Sequence, residues 1–186
     1  HLSLRRQRQM CIRDRYVSDP NNWRIANLRY FNPVGAHESG LIGEDPVGEP
    51  NNLFPYIMQV ASNKREFLKI FGNNWPTLDG TGVRDYVHVM DVAEAHYETL
   101  KFLIANKSQI INLNIGTGIG TSVLQFVKVF ERVNNCKIPY KVESRRDGDL
   151  SECYADVSNA KEKLGWQPKR SLEEICKDGW NWQIEN

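Results

Sequence analysis

The sequence predicts an α/β fold, and three observations carry that prediction. Short extended stretches alternate with helical ones from Trp23 onward, the extended ones end in Gly, Pro or Asn punctuation, and the helical ones open on residues able to cap them. The strands are too few for a complete doubly wound sheet. A hydrophobic strand such as residues 24–31 therefore needs neighbours beyond this set to bury both of its faces.

In chain order, residues 24–31 (RIANLRYF) alternate imperfectly and read as a mostly buried strand entering the loop Asn32-Pro33-Val34-Gly35. A strand that ends in such a loop is where α/β folds place ligands. Residues 37–52, rich in Gly, Pro and acids, read as a long loop, and loops of that length are usually functional or mobile. A helix opens near Asn52, whose side chain is expected to cap it, with Pro55 tolerated in the first turn. Residues 68–71 make a short strand ended by Gly72 and Asn73, and residues 84–89 a second extended piece. Asp91, with Glu94 three residues on, predicts a capping-box start for a helix to about Ala105. Residues 109–115 read as a strand. Ser122 with Gln125 opens the next helix, whose apolar side is Val123, Phe126, Val127, Phe130 and Val133. Two more helices complete the chain, one over 158–164 closed by Gly165 and one from Ser171, with Glu174, to near the C-terminus.

Composition narrows the function classes. With 186 residues, 40% of them hydrophobic and 25% charged, the chain reads as a soluble globular body. It holds no apolar run of the roughly 18 residues that a membrane span needs, so no membrane contact is expected and the expected location is cytoplasmic. Cys11, Cys136, Cys153 and Cys176 are scattered and form no CxxC pair, which argues against zinc, and a body of this size needs no disulfide framework. No metal site is expected, and His37, His88 and His96 are assigned structural roles. Residues 1–15 hold five arginines against Asp14 and share no pattern with the remainder of the chain. They read as a non-native or disordered basic segment, set apart from 16–186. A basic arm without interleaved aromatics makes a poor nucleic-acid binder, so no nucleic acid is expected as a partner.

Gly116-Thr117-Gly118-Ile119-Gly120 lies between a strand and a helix, as a phosphate-cradling loop does. Its spacing is GxGxG rather than GxGxxG, and no acidic residue stands beyond it at the distance a dinucleotide site wants. It reads instead as a tight turn that needs glycine dihedrals.

Four blocks carry a more specific signal: Leu28-Arg29-Tyr30-Phe31-Asn32-Pro33-Val34-Gly35-Ala36; Pro50-Asn51-Asn52-Leu53; Gly80-Thr81-Gly82-Val83-Arg84-Asp85-Tyr86-Val87-His88-Val89-Met90-Asp91; and Arg145-Arg146-Asp147-Gly148-Asp149. In this order they resemble the C-terminal half of UDP-galactose (UDP-glucose) 4-epimerases, which belong to the extended short-chain dehydrogenase/reductase superfamily. The RDYxHVxDxA block is shared by many sugar-nucleotide enzymes of that superfamily, and the other blocks narrow the resemblance to the epimerase. The resemblance implies the C-terminal part of an NAD(P)-binding Rossmann-type fold with its smaller substrate-binding α/β domain, NAD as cofactor, a UDP-hexose as substrate and, as is usual in the family, a homodimer.

The same resemblance assigns roles to residues of matching chemistry. A diphosphate needs fixed cations, and the planar fork of arginine meets phosphate oxygens in pairs, which suits Arg84 and Arg146. Asn52 and Leu53, at a helix start, are placed where a phosphate meets a helix N-terminus. Lys69, Ile70 and Phe71 match the strand that flanks uracil, Asp149 a residue that accepts from ribose hydroxyls, and Asn32 an amide that contacts the sugar. Tyr30 and Phe31 match residues beside the nicotinamide. Cys153 stands where a bulky tyrosine restricts some relatives to unmodified hexoses, so a small thiol there implies room for a 2-acetamido group.

The family's glycine-rich dinucleotide loop, catalytic Ser/Thr and Tyr-x-x-x-Lys pair precede the LRYFNP strand, and no catalytic residue is assigned in this chain. Tyr97 and Lys101 have the pair's spacing but lie downstream of the strand they should precede, a coincidence. By itself the chain is expected to fold poorly and to lack epimerase activity. Two alternatives stand beside the epimerase: a related sugar-nucleotide dehydratase or decarboxylase, which the LRYFNPVGAH and RRxGD blocks disfavour, and a non-catalytic nucleotide-sugar-binding protein.

Overall fold

A computed structural model describes residues 14, 16–19 and 21–186. Apart from Asp14, the segment set apart at 1–15 lies outside the described residues. The first paired strand is β1 (Arg24–Tyr30), which runs parallel to β6 (Gln109–Ile115) with Arg24 opposite Gln109 and Tyr30 opposite Ile115. The amide of Phe31 continues the ladder to the Ile115 carbonyl at 3.1 Å. Instead of being mostly buried, β1 is half-buried, because among the described residues it pairs with β6 alone.

Residues 32–34, expected as loop, form the short strand β2 (Asn32–Val34), parallel to β5 (Tyr86–His88). The expected extended piece at 84–89 is broken at Asp85 into β4 (Val83–Arg84) and β5, and Val89 already begins a helix. Strand β3 (Leu68–Phe71), with the expected bounds, runs parallel to β8 (Tyr140–Glu143). The two-residue strand β4 is flanked by β7 (Thr121–Ser122), antiparallel, and β9 (Glu152–Cys153), parallel. Strands β7 and β9, two residues each, carry no strand signal of their own and are held by their partners, while β8, whose Tyr140 and Val142 alternate with Lys141 and Glu143, is a strand beyond those expected from the sequence.

Five helices can be described: α1 (Leu53–Ala61), α2 (Val89–Ala105), α3 (Val123–Asn134), α4 (Ser158–Leu164) and α5 (Leu172–Glu185). None of them is long and apolar enough to cross a membrane. The serine starts behave as expected. Ser122 accepts from the Gln125 amide, and Ser171 and Glu174 form a complete capping box. Gly165, at φ +65°, closes α4 in the left-handed region that a side chain resists.

Asp91 is not a cap. The cap lies three residues earlier at His88, whose Nδ1 accepts from the Met90 amide at 3.0 Å. Asp91 is fully buried and takes the Arg170 guanidinium at 2.6 Å and the Lys169 and Arg170 amides. Glu94 pairs with Lys169 and Arg170 on the same side. The carboxylates that suggested a cap instead fasten the segment between α4 and α5 to α2, a partner lying 79 residues away.

Two apolar cores result. Phe54, Ile57 and Met58 of α1, Phe126 and Phe130 of α3, Ile175 of α5 and Leu68 and Ile70 of β3 form the first. Gly179 is inside α5, where glycine costs a helix about 1 kcal/mol, yet a Cβ there would lie 2.2 Å from the Phe54 ring. Close packing of that ring decides the residue. The second core joins Ile111, Leu113 and Ile115 of β6 to Val92 and Ala95 of α2, with Ala160 and Trp166. Of the described cysteines, Cys176 is buried in the first core, where its thiol is pushed up to about 12, while Cys136 is half-buried and Cys153 exposed.

His88 gives the fold a pH dependence. Burial lowers its pKa from 6.5, against the opposing pull of Asp178, whose Oδ2 lies 3.2 Å from Nε2. Because the folded state binds this proton less readily than the unfolded chain, the neutral ring stabilises the fold above pH 6.5, and that contribution is lost as the pH falls below it. Protonation also removes the acceptor that caps α2. Lowering the pH from 7.5 to 5.5 is expected to lower the stability in urea denaturation, by at most the roughly 1.4 kcal/mol that linkage to one histidine allows, and His88→Asn, which keeps a capping oxygen, is expected to abolish most of that change.

Candidate functional site

The break at Asp85 organises the site. Its buried carboxylate accepts from the Thr117 amide at 2.8 Å, the Thr117 hydroxyl at 2.6 Å, the Gly118 amide at 2.9 Å and the Ala155 amide at 3.1 Å. The amides of the glycine loop therefore already hold an anion supplied by the chain itself, which favours the tight-turn reading over a dinucleotide site. Gly116 is required because a Cβ would sit 2.5 Å from Asp85 Oδ2 and 2.8 Å from the Ala155 Cβ.

With Asp85 turned inward, its neighbour Arg84 reaches a cavity of about 500 Å³, within the range of small-ligand sites. Asn32, Asn52 and Leu53 line one side of it; Lys69, Ile70 and Phe71 another; Arg84, Arg146 and Asp149 a third. Two elements far apart in sequence thus bring the two arginines together.

Their states differ. The Arg84 side chain is 23% exposed, and its Nη1 donates to the Val83 carbonyl at 2.8 Å and the Leu150 carbonyl at 2.9 Å. Arg146 is 52% exposed, donates from Nε to Asp149 Oδ2 at 3.0 Å and lies over the Phe71 ring, 4.6 Å from its centroid. Asp149 stands between them, with its other oxygen 3.8 Å from Arg84. One carboxylate facing two guanidiniums leaves a net positive charge at the wall.

The start of α1 adds to it. Asn52 occupies the cap position, but its side chain makes no capping hydrogen bond, contrary to expectation, and the first turn holds no acidic residue. The positive end of the helix and the Asn52 carboxamide are left for whatever enters the cavity.

Strand β3 offers a different surface. Leu68 and Gly72 donate their amides to the Pro139 and Glu143 carbonyls on the β8 side. The alternation of a parallel ladder then turns the main-chain groups of Lys69 and Phe71 away from β8. An edge of amides and carbonyls beside an aromatic ring suits a flat heterocycle.

Sequence reasoning missed several wall residues, among them Glu49, Tyr56 and Trp75. Glu49, at the end of the long loop, pairs with Lys69 at 3.1 Å. The pair holds the Glu49 carboxyl below and the Lys69 amine above its usual range. Trp75 is in the turn after β3; an aromatic in a turn-rich stretch between two wall-forming strands was the available signal.

Three expected site residues lie outside this wall. Tyr30 and Phe31 are at the carboxyl end of β1, where Tyr30 is half-exposed and hydrogen-bonded to His96 Nε2 at 2.7 Å. His96 Nδ1 faces the Val92 carbonyl, which can only accept, so Nε2 is the acceptor of the phenol proton. Cys153 pairs in register with Arg84, exposed on β9. Tyr97 and Lys101 are on α2, with Tyr97 64% exposed and Lys101 engaged with Glu98.

Comparison with known proteins places this geometry. The family model described as GDP-mannose 4,6 dehydratase matches residues 14–179. A UDP-glucose 4-epimerase of Bacillus subtilis is 53% identical over 178 residues, covering 96% of this chain and 52% of that protein. Among solved structures, a UDP-glucose 4-epimerase from Stenotrophomonas maltophila with bound NAD and formylated UDP-arabinopyranose aligns with a TM-score of 0.91 at 46% identity, over 95% of this chain and 52% of that one. One from Bifidobacterium longum, in complex with NAD+ and UDP, aligns at 0.90 and 44% identity over 96% and 52%. The chain spans about half the length of the curated relatives it matches.

Replacing Asp85 by Asn is expected to destabilise the protein by about 2–4 kcal/mol in urea denaturation, because an amide NH2 would then face buried N–H donors.

Proposed function

The chain belongs to the extended short-chain dehydrogenase/reductase family, and on that premise we propose that it forms the nucleotide-sugar-binding part of a UDP-glucose 4-epimerase. The substrate is UDP-glucose or UDP-galactose, interconverted at C4. The observation that carries this reading is the convergence, on one cavity, of two arginines, a helix start whose cap side chain makes no capping bond and a strand edge that no other strand pairs among the described residues, beside an aromatic ring. Arg84 and Arg146 neutralise the diphosphate, with the α1 amides and Asn52 as further donors, and Asp149 accepts from ribose. The main chain of Lys69 and Phe71 takes the base, and Asn32 contacts the sugar. The family model carries a dehydratase's description, but relatives at about half identity are epimerases, which favours the latter.

NAD is the cofactor implied, and it supplies reversible hydride acceptance at the sugar's C4. The residues present fit one edge of it: half-exposed Tyr30 and its neighbour Phe31 lie at the carboxyl end of a parallel strand, where such folds bind ligands. The filled glycine loop at 116–118 offers no second contact. The work of these residues is binding and orientation. The 186-residue chain alone is accordingly proposed to lack turnover.

Two measurements test this. Arg84→Met and Arg146→Met are each expected to weaken UDP binding by roughly ten- to a hundredfold in calorimetry while changing uridine binding little, since each removes charge-assisted bonds to phosphate. Equal loss for uridine and UDP would refute the diphosphate assignment. For Cys153 the proposal is that the thiol leaves room for a 2-acetamido group, so that UDP-N-acetylhexosamines are substrates as well. In the protein expressed from its complete coding sequence, Cys153→Tyr is expected to cut UDP-N-acetylgalactosamine turnover at least about tenfold and to spare UDP-galactose. Unchanged turnover of the acetamido sugar contradicts it.

A further inference from the structure

Trp75 lines the cavity and has no part in the functions assigned so far. Its indole Nε1 donates to the Phe71 carbonyl at 3.3 Å, and its amide donates to the Gly80 carbonyl at 2.9 Å. The Arg145 guanidinium lies over the ring, 3.9 Å from the centroid. Arg145 is itself tied to Asn74, by Nε to the side-chain oxygen at 2.8 Å and by Nη2 to the main-chain carbonyl. Gly72 beneath, at φ +84°, has no room for a Cβ, which would come within 2.8 Å of the indole nitrogen. Held on these sides, the indole is a fixed wall and not a swinging side chain.

The Nε1 bond has a chemical consequence. On the edge turned away from β8, β3 presents in order the Lys69 N–H, the Lys69 carbonyl, the Phe71 N–H and the Phe71 carbonyl. Trp75 occupies the last, so three groups remain: donor, acceptor, donor. A ring edge that reads acceptor, donor, acceptor is complementary, and the imide edge of uracil has that order. Cytosine would set an acceptor against the Lys69 carbonyl, and the exocyclic amine of guanine would meet the Phe71 N–H, each an unpaired or repulsive contact. Hypoxanthine satisfies the first two groups but carries a second ring.

We infer that Trp75 is a specificity-determining residue: by occupying the Phe71 carbonyl and walling off the end of the strand edge, it restricts the base subsite to a single-ring imide. This rests on the nucleotide-diphosphate reading of the cavity.

The test uses the protein expressed from its complete coding sequence, with calorimetric dissociation constants for UDP, IDP and pyrophosphate. Trp75→Ala is expected to weaken UDP about tenfold, the scale of one lost base–aromatic contact. Pyrophosphate should bind as before, and the preference for UDP over IDP should shrink. Trp75→Phe removes the N–H and one ring of the wall, so the same shrinkage is expected in smaller measure, and it serves if the alanine variant does not fold. An unaltered UDP-to-IDP ratio in the variants, or equal weakening of UDP and pyrophosphate, overturns the role of Trp75 alone. Unsubstituted protein that binds neither UDP nor pyrophosphate overturns the reading of the cavity and this inference with it.

Discussion

The buried carboxylate of Asp85 sets the layout of everything around the cavity. Burying a charge is costly unless it is fully hydrogen-bonded, and here three amides and one hydroxyl do that work. Charge-assisted bonds of this kind contribute about 1.5–3 kcal/mol net each, and a buried carboxylate left without such partners bears its desolvation cost. The partners come from two segments, the glycine turn and the run-on from β9, and the carboxylate joins both to the β4–β5 break. The Asp85 carbonyl in turn receives the Asn32 amide at 3.0 Å. One residue thereby fixes Arg84 on one side of the break and the entry to β2 on the other.

The cavity is built with its charges incompletely matched. Arg84 is tethered by two carbonyls, whereas Arg146 is held by one carboxylate and a ring face, and α1 presents a start that no side chain caps. Native helices seldom leave their first amides without a side-chain partner when the neighbourhood is partly enclosed. Asp149 balances part of the positive charge, and the remainder leaves the wall net positive.

Around this site the two cores are unequal in completeness. The first is enclosed by α1, α3 and α5, with edge-to-face contacts of Phe54 on Phe126 and Phe130. The second rests on a two-stranded parallel sheet whose β1 is half-buried. Parallel sheets normally have both faces covered. That β1 keeps its register over seven residue pairs owes much to α2, which Asp91 and Arg170 anchor to the C-terminal segment.

Local signals settled much of this protein from its sequence. The helix over 158–164 with its Gly165 stop and the serine caps at 122 and 171 depend on residues within four positions of one another, and the strands at 68–71 and 109–115 were legible in their own residues and punctuation although their ladders form with distant strands. Part of the cavity wall was legible too, Asn32, Asn52, Leu53, Arg84, Arg146 and Asp149 through the sequence blocks that contain them and Lys69, Ile70 and Phe71 through the family resemblance, whereas Glu49, Tyr56 and Trp75 were not. What the sequence left open were contacts between distant residues of ambiguous chemistry. A carboxylate such as Asp91 suits a helix cap as well as a buried ion pair, and only the approach of Arg170 decides. Two-residue strands such as β4, β7 and β9 have no periodicity to read, the Asn52 side chain depends on what stands opposite it, and Trp75 became a wall only when the turn after β3 brought it under Arg145. The reason is physical: capping and alternation are fixed by local geometry, whereas the partner of a buried charge or ring is fixed by which distant segment the fold brings within about 3–4 Å.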